Sequence, residues 1–446
     1  MFRDAGEDFS AFYCSGAAAA AYKNPYLVEP LRSCENRVQP SSTHDRRVVT
    51  PSTLPGYDIL LFADLAQLPY AFAKIVWYVV LLASIGLAAF CLTRLTGFPA
   101  AFVLLVLVPV DGILCLPAGQ LTPIVVAALS LAAYLVEQRR YVPAAFAAAV
   151  TLIEPRIGAP VCLAMFWFLP NCRPAFAGLT LFFVGGALTV GGPAQNLAYI
   201  TTYLPEQTRS ELVAADQFSL SAVLHLFKLP DGTALRIGSL SYLAMVVAGI
   251  WLGRYAARAF SAESFIVVLP AAGVLFGGTY VHDGQFAAAL PAALLLCTKE
   301  RRRVAAWIVL GLLLVPWYAY GAGGETLGLF VRSICALAIG WIAILATEKR
   351  RSKSHPGAVG IAIASFGALL AIAALMPHPA AAAPTAVAQV FLGPQASAQN
   401  NWGAYLRSTP ALSRTSAREE FEKLPIWLGI LGLLLLAADA PIKAKE

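Results

Sequence analysis

Apolar residues in this chain gather into long runs, at about 70 to 93, 98 to 115, 121 to 137, 175 to 192, 236 to 253, 264 to 279, 285 to 297, 304 to 319, 326 to 346, 357 to 376 and 425 to 440. Crossing roughly 30 Å of hydrocarbon takes about 20 helical residues, and these runs reach that length or fall a few residues short. Lipid cannot satisfy an open backbone amide, so a spanning run is a helix or a closed barrel strand. These runs lack the alternating polarity of barrel strands. With 59% hydrophobic residues, 13% charged residues and a mean hydropathy of +0.69, the chain is far more apolar than a water-soluble domain of 446 residues requires. The expectation is an all-α polytopic membrane protein with about 11 spanning helices.

Basic residues set its orientation. Arg139-Arg140, Arg254 with Arg258, Lys299 with Arg301 to Arg303, Lys349 to Lys353, and Lys443 with Lys445 lie between the runs or at their ends. The positive-inside rule gathers them on the cytoplasmic side. The net charge of +7 is then topological, and no basic face with interleaved aromatics points to nucleic acid. The segment from 142 to 170 restores this parity only as a short helical hairpin broken at Glu154-Pro155-Arg156-Ile157-Gly158. Proline and glycine suit such a break, and two charges at membrane depth must face protein or a watery cavity. Residues 1 to 69, 116 to 120, 193 to 235, 280 to 284, 320 to 325 and 377 to 424 then lie outside. No signal sequence or anchor precedes Asp8, so the expectation is a reading frame that starts upstream with one more spanning helix, or a truncated relative.

Of eight cysteines, Cys14 and Cys34 are the pair in the long outer N-terminal region. A bridge between them and two unpaired thiols are the alternatives. No cysteine and histidine spacing suggests zinc, no glycine-rich phosphate loop is present, and no metal or cofactor is expected. The 377 to 424 stretch reads as an Ala/Pro-rich linker followed by a short surface helix.

Chemistry therefore belongs on the outer face. Asp8 is followed by Phe9, Phe12 and Tyr13, and can serve as a general base on a sugar hydroxyl or merely cap a helix. Residues 56 to 69 read as an amphipathic interfacial helix. The turn Tyr280-Val281-His282-Asp283-Gly284 can be a solvated turn, or its imidazole can relay a proton or orient a phosphate. Arg156 can pair with Glu154 or face a lipid-linked phosphate, which a guanidinium fits bidentately. Gln120, in Gly119-Gln120-Leu121-Thr122-Pro123, can bind sugar hydroxyls.

In order and spacing these elements resemble glycosyltransferase family 87, of the GT-C superfamily. The resemblance rests on Asp8-Phe9, Tyr13, Asn24-Pro25-Tyr26, Leu68-Pro69, Gly119-Gln120, Glu154-Pro155, Asp216-Gln217-Phe218-Ser219-Leu220 and His282, and runs from about residue 7 to 300. It implies a GT-C fold with the family's first helix missing and an inverting transfer on the outer face. The sugar, mannose- or arabinofuranose-like, would come from a polyprenyl-phosphate carrier and pass to a glycan or glycolipid. It further implies that Asp8 is the general base and His282 a second catalytic residue, with Arg156 on the donor phosphate and Tyr13, Tyr26, Gln120, Glu154 and Asp283 beside substrate. The chain departs from the family pattern where Asp283 replaces a second histidine and Glu154 a lysine. Three regions are expected: residues 1 to 69 with the catalytic aspartate, a membrane core over 70 to 298, and C-terminal helices over 299 to 446. The setting is a multi-pass bacterial plasma membrane protein with its site on the periplasmic or outer face. The competing readings are a transporter or flippase of lipid-linked glycan, which needs a polar path across the membrane, and an inactive relative.

Overall fold

The computed structural model describes residues 6–39, 48–299, 303–320, 392–409 and 417–440. Among the described residues the regular elements are all helices, and the extended contacts are two isolated bridges, Leu27 with Ser397 and Gln217 with His282. Four helices are long and apolar enough to cross a membrane: Tyr70–Thr96, Ala100–Ala118, Pro170–Thr189 and Asp231–Phe260. Shorter apolar helices include Thr122–Glu137, Tyr141–Ile153, Pro155–Phe168 and Lys423–Ala438. The runs expected at 326 to 346 and 357 to 376 lie outside the described residues.

Before the first long helix, three short ones gather: α1 (Glu7–Ala20), α2 (Val28–Val38) and α3 (Gly56–Leu65). Cys14 of α1 is bonded to Cys34 of α2, with 5.6 Å between their Cα atoms. Against α3, α1 packs backbone to backbone at Gly16, where a side-chain carbon would collide with the Phe62 carbonyl. The expected interfacial helix is α3, but its polarity is inverted: Asp58 is buried while Leu61 is exposed. Burial first, and Glu154 second, push the Asp58 carboxyl well above the usual carboxylate range.

Pro69 opens α4 (Tyr70–Thr96), and Gly97 closes it in the left-handed conformation. Its two faces are both apolar. Trp77, Leu81, Ile85 and Ala88 are buried against the helix Thr122–Glu137, while Phe72, Ile75, Val79 and Leu82 face outward. Helical spacing separates the two sets, as for a helix with protein on one side and lipid on the other.

Two expected spans take a different form. The run at 264 to 279 is helical only over Phe265–Gly273, and the run at 285 to 297 divides into a 3-10 turn, Asp283–Ala289, and the helix Leu290–Lys299. Every residue of Phe265–Gly273 is buried, and so are the residues Leu290 to Cys297. Hydropathy reports the absence of water but not whether protein or lipid replaces it. These segments are apolar because other helices surround them. The hairpin at 142 to 170 takes the expected form, with Glu154 between Tyr141–Ile153 and Pro155–Phe168.

Candidate active site

Asp8 is placed by its neighbours. Gly6, at φ 87°, forms the N-cap of α1, and its N–H donates to the Pro117 carbonyl at 2.8 Å, anchoring the helix start to the end of the Ala100–Ala118 span. Asp8 is therefore not the cap. It lies in the first turn, where the helix dipole favours a carboxylate. Next to it Phe9 is fully buried, stacked on Trp77 at 5.8 Å and Tyr70 at 5.7 Å, and the Trp77 indole donates to the Gly119 carbonyl at 2.9 Å. The Asp8 carboxylate lies within electrostatic reach of the Tyr280 hydroxyl.

Tyr13 and Tyr26, expected beside substrate, are packing residues in this arrangement. The Tyr13 hydroxyl donates to the Leu68 carbonyl at 2.8 Å, and the Tyr26 hydroxyl to the Leu54 carbonyl at 2.8 Å. Tyr26 is 1% exposed and stacked on Tyr203 at 4.7 Å. The Tyr26 hydroxyl holds the chain that leads into α3, and the Tyr13 hydroxyl the chain that leaves it.

At the hairpin break Pro155 starts a new helix, and Gly158 rides against the backbone of Thr151 and Leu152. Glu154 accepts from the Thr122 hydroxyl at 3.1 Å and from the Gln285 amide at 2.7 Å. Its two oxygens thus tie the hairpin to the helix at 122 and to the turn after His282. Arg156 makes no ion pair with Glu154 among the described residues. Its guanidinium instead lies over the Tyr242 ring at 5.3 Å and the Tyr280 ring at 5.7 Å, with Nη1 and Nη2 buried and lacking any hydrogen-bond acceptor. Gly278, at φ 78°, leaves the room: a side-chain carbon there would collide with Nη2.

His282 is held through a pairing of two distant segments. The Phe218 N–H donates to the Val281 carbonyl at 2.7 Å, and the Val281 N–H to the Gln217 side chain at 3.1 Å. This places His282 Nδ1 3.2 Å from Asp216 and Nε2 3.6 Å from Glu211. Burial opposes a charge on the ring, but the carboxylates of Asp216, Glu211 and Asp283 outweigh it and raise the imidazole to about 9. Glu211 is 3% exposed and accepts from Gln207 at 3.0 Å, Trp402 at 2.9 Å and Gln217 at 3.3 Å. The edge of the His282 ring meets Tyr280 at 4.6 Å. Burial first, then Glu211, Asp216, Asp8 and Glu154, push the Tyr280 hydroxyl upward.

Asp283 accepts from the Gly284 N–H at 2.7 Å, and Gln120 lies against the same turn, its side-chain oxygen 2.5 Å from where a carbon on Gly284 would stand. The structure thus brings Asp8, Gln120, Glu154, Arg156, His282 and Asp283 into one region around Tyr280. Glu211 carries no local signal in the sequence. It is one of two glutamates in the stretch before Asp216, and only the pairing of 217 with 282 delivers it. Asp111 did carry a signal, as the one carboxylate in the apolar run at 98 to 115, and it is 0% exposed inside a π-helical stretch of the Ala100–Ala118 span.

Glu211, Asp216 and His282 offer ligand atoms that all lie within 4.8 Å of one another, close enough to share a cation. Each ring nitrogen already has its own carboxylate neighbour, so the group is also complete as an ion-paired network. His225, outside this group, pairs with the exposed Asp231 at 2.9 Å. No protein-family model, curated protein or solved structure matches this chain.

Proposed function

We propose that this protein is an integral-membrane glycosyltransferase of GT-C type, with its site at the outer face of a cell membrane. It would move a mannose- or arabinofuranose-like sugar from a polyprenyl-phosphate carrier to a glycan or glycolipid. One observation carries the reading. A buried guanidinium with two unpartnered nitrogens, Arg156, shares the Tyr280 ring with His282, in a region that also holds the Asp8 carboxylate. A base and an anion site on one aromatic support are what a single displacement at a sugar phosphate requires.

In this reading Asp8 takes the proton from the acceptor hydroxyl as its oxygen attacks the anomeric carbon. The bond from that carbon to the phosphate oxygen breaks, and its electron pair leaves with the lipid phosphate. Arg156 donates to the phosphate oxygens as their charge builds, which relieves its own missing hydrogen bonds. Glu154 and Gln120 would address sugar hydroxyls.

Transport of a lipid-linked glycan is the second reading, and Asp111 favours it. A carboxyl group with both oxygens buried and unpartnered inside a span is the kind of group that marks an ion path. The deciding experiment measures transfer of radiolabelled sugar from synthetic polyprenyl-phosphate mannose and polyprenyl-phosphate arabinose in proteoliposomes. Asp8→Asn is expected to lower transfer by at least about 10²-fold with the fold intact, within the range general-base catalysis supplies. Asp111→Asn is expected to leave it within a factor of about two. Transfer lost with Asp111→Asn and retained with Asp8→Asn would overturn the assignment.

A further inference from the structure

His282 sits between two carboxylates, one at each ring nitrogen: Asp216 at 3.2 Å from Nδ1 and Glu211 at 3.6 Å from Nε2. A neutral imidazole has one N–H and one lone pair, and would point that lone pair at a carboxylate. Only the doubly protonated ring is attracted at both nitrogens. Glu211 is built to stay in place, because three side chains, Gln207, Gln217 and Trp402, donate to its two oxygens. These donors come from three places: Gln207 in the helix Leu204–Ser210, Gln217 in the stretch paired with His282, and Trp402 in the helix Ala398–Ser408. The backbone pairing of Phe218 with Val281 fixes His282 against the same pair of acids. The other charged groups facing the ring are Asp283 on its own turn and Glu154 from the hairpin, both acidic. Nearby cations are Arg156, across the Tyr280 ring, and Lys423, whose ammonium donates to the Gln217 carbonyl at 2.8 Å.

We propose that Glu211 and Asp216 clamp His282 as an imidazolium through neutral pH, with Glu211 a positioning residue that acts through the ring. The ring is then neither a base nor a proton relay, since both nitrogens carry hydrogens and each has a carboxylate beside it, Asp216 in hydrogen-bond reach and Glu211 as a charge neighbour. It contributes fixed positive charge. With Arg156 it places two cations on the Tyr280 ring, and the hydrogen bonds to a bound anion come from the unpartnered nitrogens of Arg156. That the anion is the donor phosphate rests on the transferase reading; the clamp itself does not.

The experiment is an NMR titration of the whole protein in nanodiscs, with ¹³C at histidine Cε1 and the His282 signal assigned by its loss in His282→Gln. The wild-type ring is expected to stay doubly protonated through neutral pH and to lose its proton near pH 9. Glu211→Gln and Asp216→Asn should each lower that midpoint by at least about one pH unit, whereas Glu211→Asp should recover part of the shift. His225, paired elsewhere, should titrate unchanged in all variants. A wild-type midpoint near 6.5, a midpoint indifferent to Glu211→Gln, or a ring signal displaced by added Mn²⁺ or Zn²⁺ at micromolar concentration would overturn the clamp. In a transfer assay, the alkaline limb of the pH profile should move down with the midpoint in Glu211→Gln. Absence of transfer with the titration as expected removes the transferase reading and leaves the clamp standing.

Discussion

Arg156 is the residue whose chemistry is least satisfied by its own surroundings. A buried donor without an acceptor costs about 1–3 kcal/mol, more for a charge, while contact with the two flanking tyrosine rings returns about 0.5–2 kcal/mol. With two such nitrogens on Arg156 the cost outweighs the gain, so a group that served the fold alone would gain nothing by being charged. Arg156→Gln is therefore expected to leave the thermal unfolding midpoint unchanged or raise it by the equivalent of up to about 2 kcal/mol, while transfer falls by about 10²-fold or more. A midpoint that drops by several degrees, with transfer reduced only in proportion to the folded fraction, would make Arg156 a structural residue. Tyr13 and Tyr26 illustrate the opposite case. Both were reasonable candidates for substrate contact from their place in the sequence, yet each spends its hydroxyl on a backbone carbonyl. A tyrosine's sequence neighbours do not reveal which acceptor its hydroxyl will reach.

Among the elements, α1 matters most, because it carries Asp8. The start of α1 is bound to the turn at Pro117, its middle is pressed against α3 at Gly16, and its flank is tied to α2 by the Cys14–Cys34 bond. The bridge closes a loop with a sequence separation of 20, which the chain-entropy model values at about 3 kcal/mol. Cys14→Ser with Cys34→Ser is expected to destabilise the protein by about that amount, and to reduce transfer by more than the loss of folded protein explains, because Asp8 loses its placement. Unfolding curves and transfer rates on the same preparation would check this, and unchanged transfer per folded molecule would separate the bridge from the site. The hairpin break was legible locally, from Pro155 and Gly158 flanking two charges. The short buried helices at 265 to 273 and 290 to 299 were not, since a helix enclosed by protein has the same composition as one enclosed by lipid.

Across the whole molecule, distant segments meet at the site, and their ionisation couples to folding. His282 is raised from an ordinary 6.5 to about 9 in the folded state. The stabilisation from its ion pairs is therefore fully present below pH 6.5 and fades as pH rises through 9, where the folded state also loses the proton. On this basis the unfolding midpoint in nanodiscs should fall between pH 7 and pH 10, and the fall should be smaller in His282→Gln. An equal fall in both would assign the pH dependence to other groups. The acids around the ring come from segments far apart in sequence, Glu154 at the hairpin break, Glu211 with Asp216, and Asp283 beside the ring, so this coupling is a property of the tertiary structure.

The amino-acid sequence by itself determined the helical class and the membrane setting, because hydrophobic length and backbone satisfaction act over consecutive residues. It also determined the break at Glu154, where proline, glycine and charge occur together. The tertiary structure decided which apolar runs face protein, that Glu154 bonds Thr122 and Gln285 and not Arg156, and that Glu211 reaches His282. Those outcomes depend on contacts between segments 30 to 130 residues apart, and no local pattern encodes a partner at that distance.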